Sequence, residues 1–328
     1  MKAFVRTCLK VILPGFLVVK YRRLKNKRKP LRLFLSNKKI SIDLGGGKYS
    51  NVHGVYYWDG EENFGDSIGP YIVSKISGRP VLNIMDLDMP GIMSVGSILQ
   101  LVDRKGLAIL GSGFIESPDV EVRNRILKNK PLVLSVRGKL TKSKLEEIGI
   151  DTPDDEFLGD PAVIMPLLYQ PKIKEIKKEV GIVPHYIHKK LFKEISGDSF
   201  DLIDVQRDLE SVIDDIVNTS VCISTSLHGI IIAQAYGIPW IWLEIKDNNL
   251  KGDDFKFNDF FSMLGPRKDN HITMSSSDVK DMNIEELSRK AFLPVSLYDE
   301  NKILSKFLDY LNMDSSDIFC DIELGRRY

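Results

Sequence analysis

Short apolar runs that do not alternate with polar residues constrain this chain more than any other feature. They read "HGVYYW" (53–58), "PVLNI" (80–84), "IMSVG" (92–96), "LAILGSG" (107–113) and "PLVLSVRG" (131–138). After a gap they resume as "VGIVPHY" (180–186), "FDLIDV" (200–205), "SVCIST" (220–225) and "PWIWLE" (239–244). A strand apolar on every residue is covered on both faces, which is the condition of a parallel sheet between helices. Helical patterns fall between the runs. "DSIGPYIVSKISG" has Asp66 as expected N-cap and Gly78 at its end, and "TKSKLEEIG", "DLESVIDDIVN" and "SLHGIIIAQAYG" follow; residues 251–270 and 283–312 add further helices. The expected fold class is therefore α/β, with two doubly wound Rossmann-like domains facing a cleft in a GT-B-like manner and a C-terminal helical segment. The expected divisions are a basic leader at 1–40, an N-terminal α/β domain at 41–168, a C-terminal α/β domain at 169–300 and a helix with tail at 301–328. The Pro/Lys-rich stretch Pro166–Lys178 is the expected linker.

A length of 328 residues suits two domains of ordinary size, and 43% hydrophobic with 28% charged residues describes a soluble globular protein. Charge is unevenly placed. Residues 1–40 hold 13 of the 46 basic residues and no acidic one, so the remainder carries 33 basic against 45 acidic, a net of −12. Within that basic end, Val11–Val19 is interrupted by Pro14 and Gly15 and is far shorter than the roughly 20 apolar residues a membrane span needs. No small-residue cleavage site follows it, so it does not read as a signal peptide. Two readings stand: a peripheral contact with the inner face of the cell membrane, in which Lys and Arg meet anionic lipid, or a plain basic leader. Three distant cysteines, Cys8, Cys222 and Cys320, form neither a disulfide framework nor a C-x-x-C pair, in keeping with a reducing cytoplasm. Cys222, inside an apolar run, reads as a small core residue.

Ligands of such sheets bind beyond the carboxyl ends of the strands, so the residues at those ends are the candidates. His228 falls in the first turn of the helix that follows the strand ending at Ser224. The unpaired amides there, with the hydroxyls of Ser224, Thr225 and Ser226, form a site for an anion. A histidine in that place can contact a carboxylate or phosphate, or donate a proton; it can also simply cap the helix. Arg137 ends "LVLSVRG", where an arginine must meet either an anionic ligand or a carboxylate of the protein. Asp160 in "LGDPAV", Gly111 and Gly113 in "GSG", Asn63, Gly65 and Asp66 in "ENFGD", and Glu244 with Trp242 occupy other strand ends or helix starts. His185 and His188 in "PHYIH" lack a carboxylate or cysteine to complete a metal site and read as surface or cleft histidines, so no metal is expected. The Walker, Rossmann-fingerprint, zincin and nucleophile-elbow motifs are absent. The basic leader lacks a folded aromatic platform, so no nucleic-acid partner is expected.

Together, "NFGDSIGPYIV", "SVRGKLTKSKLEEIGI", "LGDPAVIMP" and "SLHGIIIAQAYGIP" resemble the polysaccharide pyruvyltransferase family in order and spacing, from about residue 52 to about residue 245. The resemblance implies an enzyme that moves pyruvate from phosphoenolpyruvate onto a sugar as a ketal, during synthesis of an exopolysaccharide, capsule or other cell-surface polysaccharide. It implies that His228 and Arg137, with Ser224, Ser226, Leu227 and Gly229, hold the donor. It also implies that Asn63, Gly65 and Asp66 line the cleft, where Gly111, Gly113, Asp160 and Glu244 are further acceptor-side candidates. His228 and Asp66 are the expected catalytic residues, with Asp160 an equal candidate for the base. Many relatives have arginine where this chain has Ser226 and aspartate where it has Gly138, so a second cation is needed for a trianionic donor; Arg267 and Lys246 are candidates. The expected partners are phosphoenolpyruvate as co-substrate and a saccharide acceptor, lipid-linked or not, with no cofactor. The alternatives are a GT-B glycosyltransferase using a nucleotide sugar, with Glu244 on the ribose, and a catalytically silent scaffold of a polysaccharide assembly.

Overall fold

The structure is a computed structural model that describes residues 31–35, 38–42, 48–49, 52–173, 178–195, 197, 200–312 and 322–323. The first half builds one sheet. Its strands are β1 (Leu31–Leu35), β2 (Lys38–Ile42), β4 (His53–Val55), β5 (Val81–Asn83), β6 (Gly91–Met93), β7 (Leu107–Leu110) and β8 (Leu132–Ser135), in the order β2-β1-β5-β4-β6-β7-β8. The five strands from β5 to β8 are parallel, and β1 and β2 add an antiparallel hairpin on the β5 edge. Strand β3 (Lys48–Tyr49) pairs with β14 (Ile322–Glu323) in a separate ribbon. The second half holds β9 (Lys178–Val183), β10 (Phe200–Leu202), β11 (Thr219–Ser224), β12 (Trp240–Ile245) and β13 (His271–Met274), all parallel, in the order β10-β9-β11-β12-β13. The chain is thus mixed α/β with two parallel five-strand arrays and helices between, consistent with a Rossmann-like two-domain arrangement.

The hairpin crosses the expected border at residue 40, because "LRLFLSNKKI" joins the first sheet rather than ending a leader. Of the leader's membrane reading, residues 1–30 lie outside the described residues, as do Cys8 and Cys320. Among the described residues no helix is long and apolar enough to cross a membrane.

Why the strands are buried on both faces is visible in the side chains. In β12, Trp240 and Trp242 point into a core shared by the two halves, whereas Ile241, Leu243 and Ile245 point into a second cluster on the sheet's other face. Cys222 and Ile223 of β11 divide in the same way. Cys222 is a fully buried free thiol, pushed up to about 12 by burial, and behaves as a core residue.

The helices that matter for the cleft are α1 (Phe64–Ser77), α2 (Val120–Asn129), α3 (Lys139–Ile148), α4 (Leu209–Val217), α5 (Leu227–Ala235), α6 (Asp253–Phe261) and α7 (Glu300–Asn312). Helix α1 starts three residues earlier than expected. Asn63, not Asp66, is its N-cap, with Oδ1 accepting from the Gly65 amide at 3.3 Å, and Gly78 closes it in the left-handed conformation at φ 64°. Helix α5 is apolar on every side because Leu227 and the six residues from Gly229 to Gln234 are all buried. Helix α7 belongs to the second half by sequence but packs on the first: Ile303 and Phe307 are buried, Ile303 lies against Gly159, and Lys306 stacks on the Phe157 ring at 3.8 Å. The stretch expected as a linker is fastened to α4. The Tyr169 hydroxyl donates to Asp214 at 2.7 Å, the Lys172 amide donates to the same oxygen at 2.9 Å, and Asn218 Nδ2 donates to the Lys172 carbonyl at 2.7 Å.

Candidate active site

The start of α1, in the first half, meets the start of α5, in the second. The Phe64 amide donates to the Val205 carbonyl of the second half at 2.8 Å, and Tyr71 donates to Glu210 at 2.9 Å. These bonds bring Gly65 against His228 so closely that a Cβ on residue 65 would fall on the imidazole Nδ1. Glycine is required there by contact, not by backbone conformation.

His228 is partly exposed, but its Nε2 is buried and has no hydrogen-bond partner. Burial, reinforced by the charges of Arg137 and Lys256, lowers its pKa to about 3, so the ring is neutral. The turn before it is tightly built. Ser224 Oγ accepts from the Ser226 amide and lies 2.9 Å from the carbonyls of Val183 and Ser226, so its hydroxyl holds the turn together. Ser226 is the N-cap residue of α5 but makes no side-chain cap bond, which corrects the expectation of a hydroxyl cap. Gly229 sits on Ser224 Oγ with no room for a Cβ, and Leu227 is buried. Thr225 accepts from the His185 amide at 2.8 Å and lies 2.9 Å from His188 Nδ1, whose Nε2 is 2.6 Å from the Asn248 carbonyl. One tautomer satisfies this chain: Thr225 donates to Nδ1 and Nε2–H donates to Asn248. His185 is itself held well below the usual imidazole range by burial first, then by the charges of Lys256, His188 and His228. The two "PHYIH" histidines are thus in the cleft wall.

Arg137 meets a carboxylate of the protein. It is fully buried; Nε donates to Asp259 Oδ2 at 2.9 Å, Nη1 to Ser97 Oγ at 2.5 Å and Nη2 to the Phe114 carbonyl at 2.5 Å. All three nitrogens are engaged inside the protein, so its influence on His228 is through charge. Gly113 gives the guanidinium its place, since a Cβ there would come within 2.5 Å of Cζ. Gly111, at φ 91°, is a turn residue backed by Pro161. Asp160 is fully buried; Oδ1 accepts from the Ala162 amide at 3.0 Å and Oδ2 has no partner. Burial raises its pKa to about 6, against the opposing pull of that amide and of Arg137.

Asp66 accepts from Asn63 Nδ2 at 3.0 Å and faces Tyr186 of the second half, whose phenol is pushed up to about 12 by burial and by the charges of Asp66 and Glu61. Glu244 pairs with His271 at 2.8 Å, away from His228, and Trp242 stacks on His271 and Phe257 with centroids 3.8 and 4.5 Å apart, a packing role. Arg267 lies over the Phe261 ring at 3.8 Å, with Nη1 buried and unpartnered, and Lys246 is exposed after β12.

Two residues escaped the sequence reading. Lys256 is buried in the first turns of α6, donates to the Lys251 carbonyl at 3.1 Å, and its charge reaches His185, His188 and His228. Asp259, one turn further on, is the partner of Arg137. A buried arginine announces the need for an anion; nothing in "DDFKFNDFF" says which carboxylate answers.

The neutral histidine between two cations, at the amide-rich start of a helix, is arranged to receive an anion. A profile of the polysaccharide pyruvyl transferase family matches residues 6–248. An uncharacterized protein, L143 of Acanthamoeba polyphaga mimivirus, is 29% identical over 226 residues, covering 66% of this chain and 76% of that protein. The succinoglycan biosynthesis protein ExoV of Rhizobium meliloti is 26% identical over 231 residues, 64% of each chain. With the family profile spanning most of its length, the chain belongs to the polysaccharide pyruvyl transferase family.

Proposed function

We propose that the protein transfers the pyruvyl group of phosphoenolpyruvate to a sugar as a ketal during synthesis of a cell-surface polysaccharide. The observation that carries this reading is the orphaned Nε2 of His228, held neutral beside Lys256 and Arg137 at the start of α5. A buried, unmade hydrogen bond at the amide-rich start of a helix, within the field of Lys256, suits a multiply charged donor. The similarity to a succinoglycan biosynthesis protein supports a polysaccharide pathway. In this reading the halves form a GT-B-like cleft, with the donor on the second half and the acceptor entering past Asn63 and Asp66. The basic residues ahead of β1, 1–30, would bring the enzyme to a lipid-linked acceptor at the inner membrane face.

The chemistry balances without an external reagent. C3 of the enol takes a proton and becomes the methyl group, while one sugar hydroxyl forms a bond to C2 and loses its proton. The C2–O bond to phosphate then breaks, phosphate leaves with one proton, and a second hydroxyl closes the ketal on C2. His228 contacts the phosphate through Nε2; burial first, then the charges of Arg137 and Lys256, keep the free ring unprotonated, and the negative charge of the donor opposes all three, which makes the ring the acid. The amides of Leu227–Gly229, the first three of α5, share the phosphate charge. Asp66, at the cleft mouth, is the base for the attacking hydroxyl.

The test is to supply donors separately to the purified protein with an extract of lipid-linked saccharides. Release of inorganic phosphate from phosphoenolpyruvate, dependent on acceptor, supports the proposal. Release of nucleotide from a nucleotide sugar, with phosphoenolpyruvate inert, would replace it with the glycosyltransferase reading.

A further inference from the structure

Helix α3 begins directly after Arg137, and its N-cap residue, Gly138, has no side chain with which to cap it. The missing cap comes from the other half of the molecule. The Thr141 amide donates to Asp259 Oδ1 at 2.8 Å, and the Thr141 hydroxyl donates to Oδ2 at 2.6 Å. The Lys139 amide donates to Ser262 Oγ at 2.9 Å, and that hydroxyl in turn donates to the Asp259 carbonyl at 2.6 Å. Asp259 Oδ2 also takes the Arg137 Nε bond at 2.9 Å. A Cβ on Gly138 would collide with the Asp259 carbonyl oxygen, so the bare N-cap is the condition for α6 to dock this closely. One carboxylate therefore meets an orphan amide at a helix start, satisfies a hydroxyl and neutralises a buried guanidinium, all across the boundary between halves. The turn leading into α6 is fastened to the same wall: Gly252 lies on the Ile115 carbonyl, and Lys251 pairs with Glu116 at 3.0 Å.

We infer that Asp259 is a positioning residue for the transfer: by capping α3 in trans and holding Arg137, it locks the first-half wall of the cleft in register with the His228 helix. The donor's contacts lie on the second half, whereas Gly65, Asn63 and Asp66 come from the first. A loosened lock therefore leaves donor affinity nearly intact and misaligns what surrounds the donor. Helix α6 carries Lys256 one turn before Asp259, so the same anchor also fixes that cation beside His228.

This inference rests on the proposed function only for its turnover readout; the cap itself is read by amide hydrogen exchange. In Asp259→Ala, which leaves no acceptor, exchange at the Thr141 amide should rise at least about tenfold, the equivalent of one lost hydrogen bond. The kcat for phosphate release should fall about tenfold or more while the KM for phosphoenolpyruvate stays within about threefold. Gly138→Ala pushes on the same contact without removing a charge; it should reproduce both changes, and the double variant should be no worse than either single one. If Asp259→Ala does not fold, Ser262→Ala reads the cap alone, with faster exchange confined to Lys139. Unchanged exchange at these amides overturns the inference. So does wild-type kcat in the exchange-labile variants, or additive losses in the double variant. Should the wild-type protein release no phosphate from phosphoenolpyruvate, the proposed function fails and the exchange result alone decides the trans-cap.

Discussion

Arg137 and His228 occupy matching places, each just beyond a parallel strand of its own sheet and each at the doorstep of a helix, yet their surroundings are opposites. Arg137 is fully buried with every nitrogen on a protein acceptor, and its charge is answered by Asp259. His228 keeps an unpartnered Nε2 and faces two cations and a bare glycine. A strand-end cation that is already satisfied holds the molecule together; a strand-end polar atom left unsatisfied awaits something else. The family resemblance assigned both residues to the donor; the structure gives Arg137 a carboxylate of the protein and leaves Nε2 of His228 without a hydrogen-bond partner.

The sharpest way to break that distinction is His228→Ala. Turnover of phosphoenolpyruvate should fall about 10²–10⁴-fold, while thermal stability should hold, because the change removes a buried polar atom that had no bond to lose. A large fall in melting temperature would instead make His228 a frame residue like Arg137. Gly65→Ala comes next. A methyl group at that position displaces the imidazole, and misplacement by about 1 Å costs on the order of 10²-fold in rate. The methyl overlaps the imidazole down to its Cβ, an overpacking cost of about 1–3 kcal/mol that outweighs alanine's helix preference, so lost activity should come with a modestly lower melting temperature.

Arg137→Ala should behave in the reverse manner. Removing one partner of a buried pair costs about 3–5 kcal/mol, seen as a lower denaturation midpoint, while the folded fraction binds donor nearly as wild type does. Weak donor binding with full stability would return Arg137 to the contact set. A smaller effect is expected from acid. His228 has a folded pKa of about 3, below its ordinary 6.5, so the unfolded chain takes up a proton in that window and the folded one does not. Stability contributed by keeping the ring neutral is present above about 6.5 and lost as pH falls toward 3, and His228→Gln should flatten part of that loss in denaturation series across the window. A wild-type slope in the variant would contradict the neutral histidine. Glu244→Ala should matter least. The pair with His271 is partly exposed and worth less than about 1 kcal/mol, and donor binding should not change. A collapse of activity there would favour a ribose-gripping role and the nucleotide-sugar reading.

Much of this was legible in the chain itself, for physical reasons. Strands buried on both faces leave unbroken apolar runs, so nine of the ten parallel strands and the start of α5 could be placed from residues alone. Strand β13 escaped because it is an edge strand with exposed residues in alternation, and β1 and β2 because their lysines and arginines disguised a hairpin as part of a basic leader. The N-cap of α1 was assigned to Asp66 instead of Asn63, two polar residues one turn apart that propensity does not separate. The partner of Arg137 lies 122 residues away and could not be found by any local pattern. The orphaned Nε2 was equally hidden, since a sequence shows which groups are present and only packing shows which are left unpaired.

The most direct test of the central claim is nuclear magnetic resonance of ring-¹⁵N-labelled histidines during titration with phosphoenolpyruvate. With five histidines in the chain, each signal can be assigned by substitution. The account predicts that Nε2 of His228 shifts most and saturates with the donor, with lesser changes at His185 and none at His53 or His271. A saturating donor that leaves the His228 signal in place would contradict it.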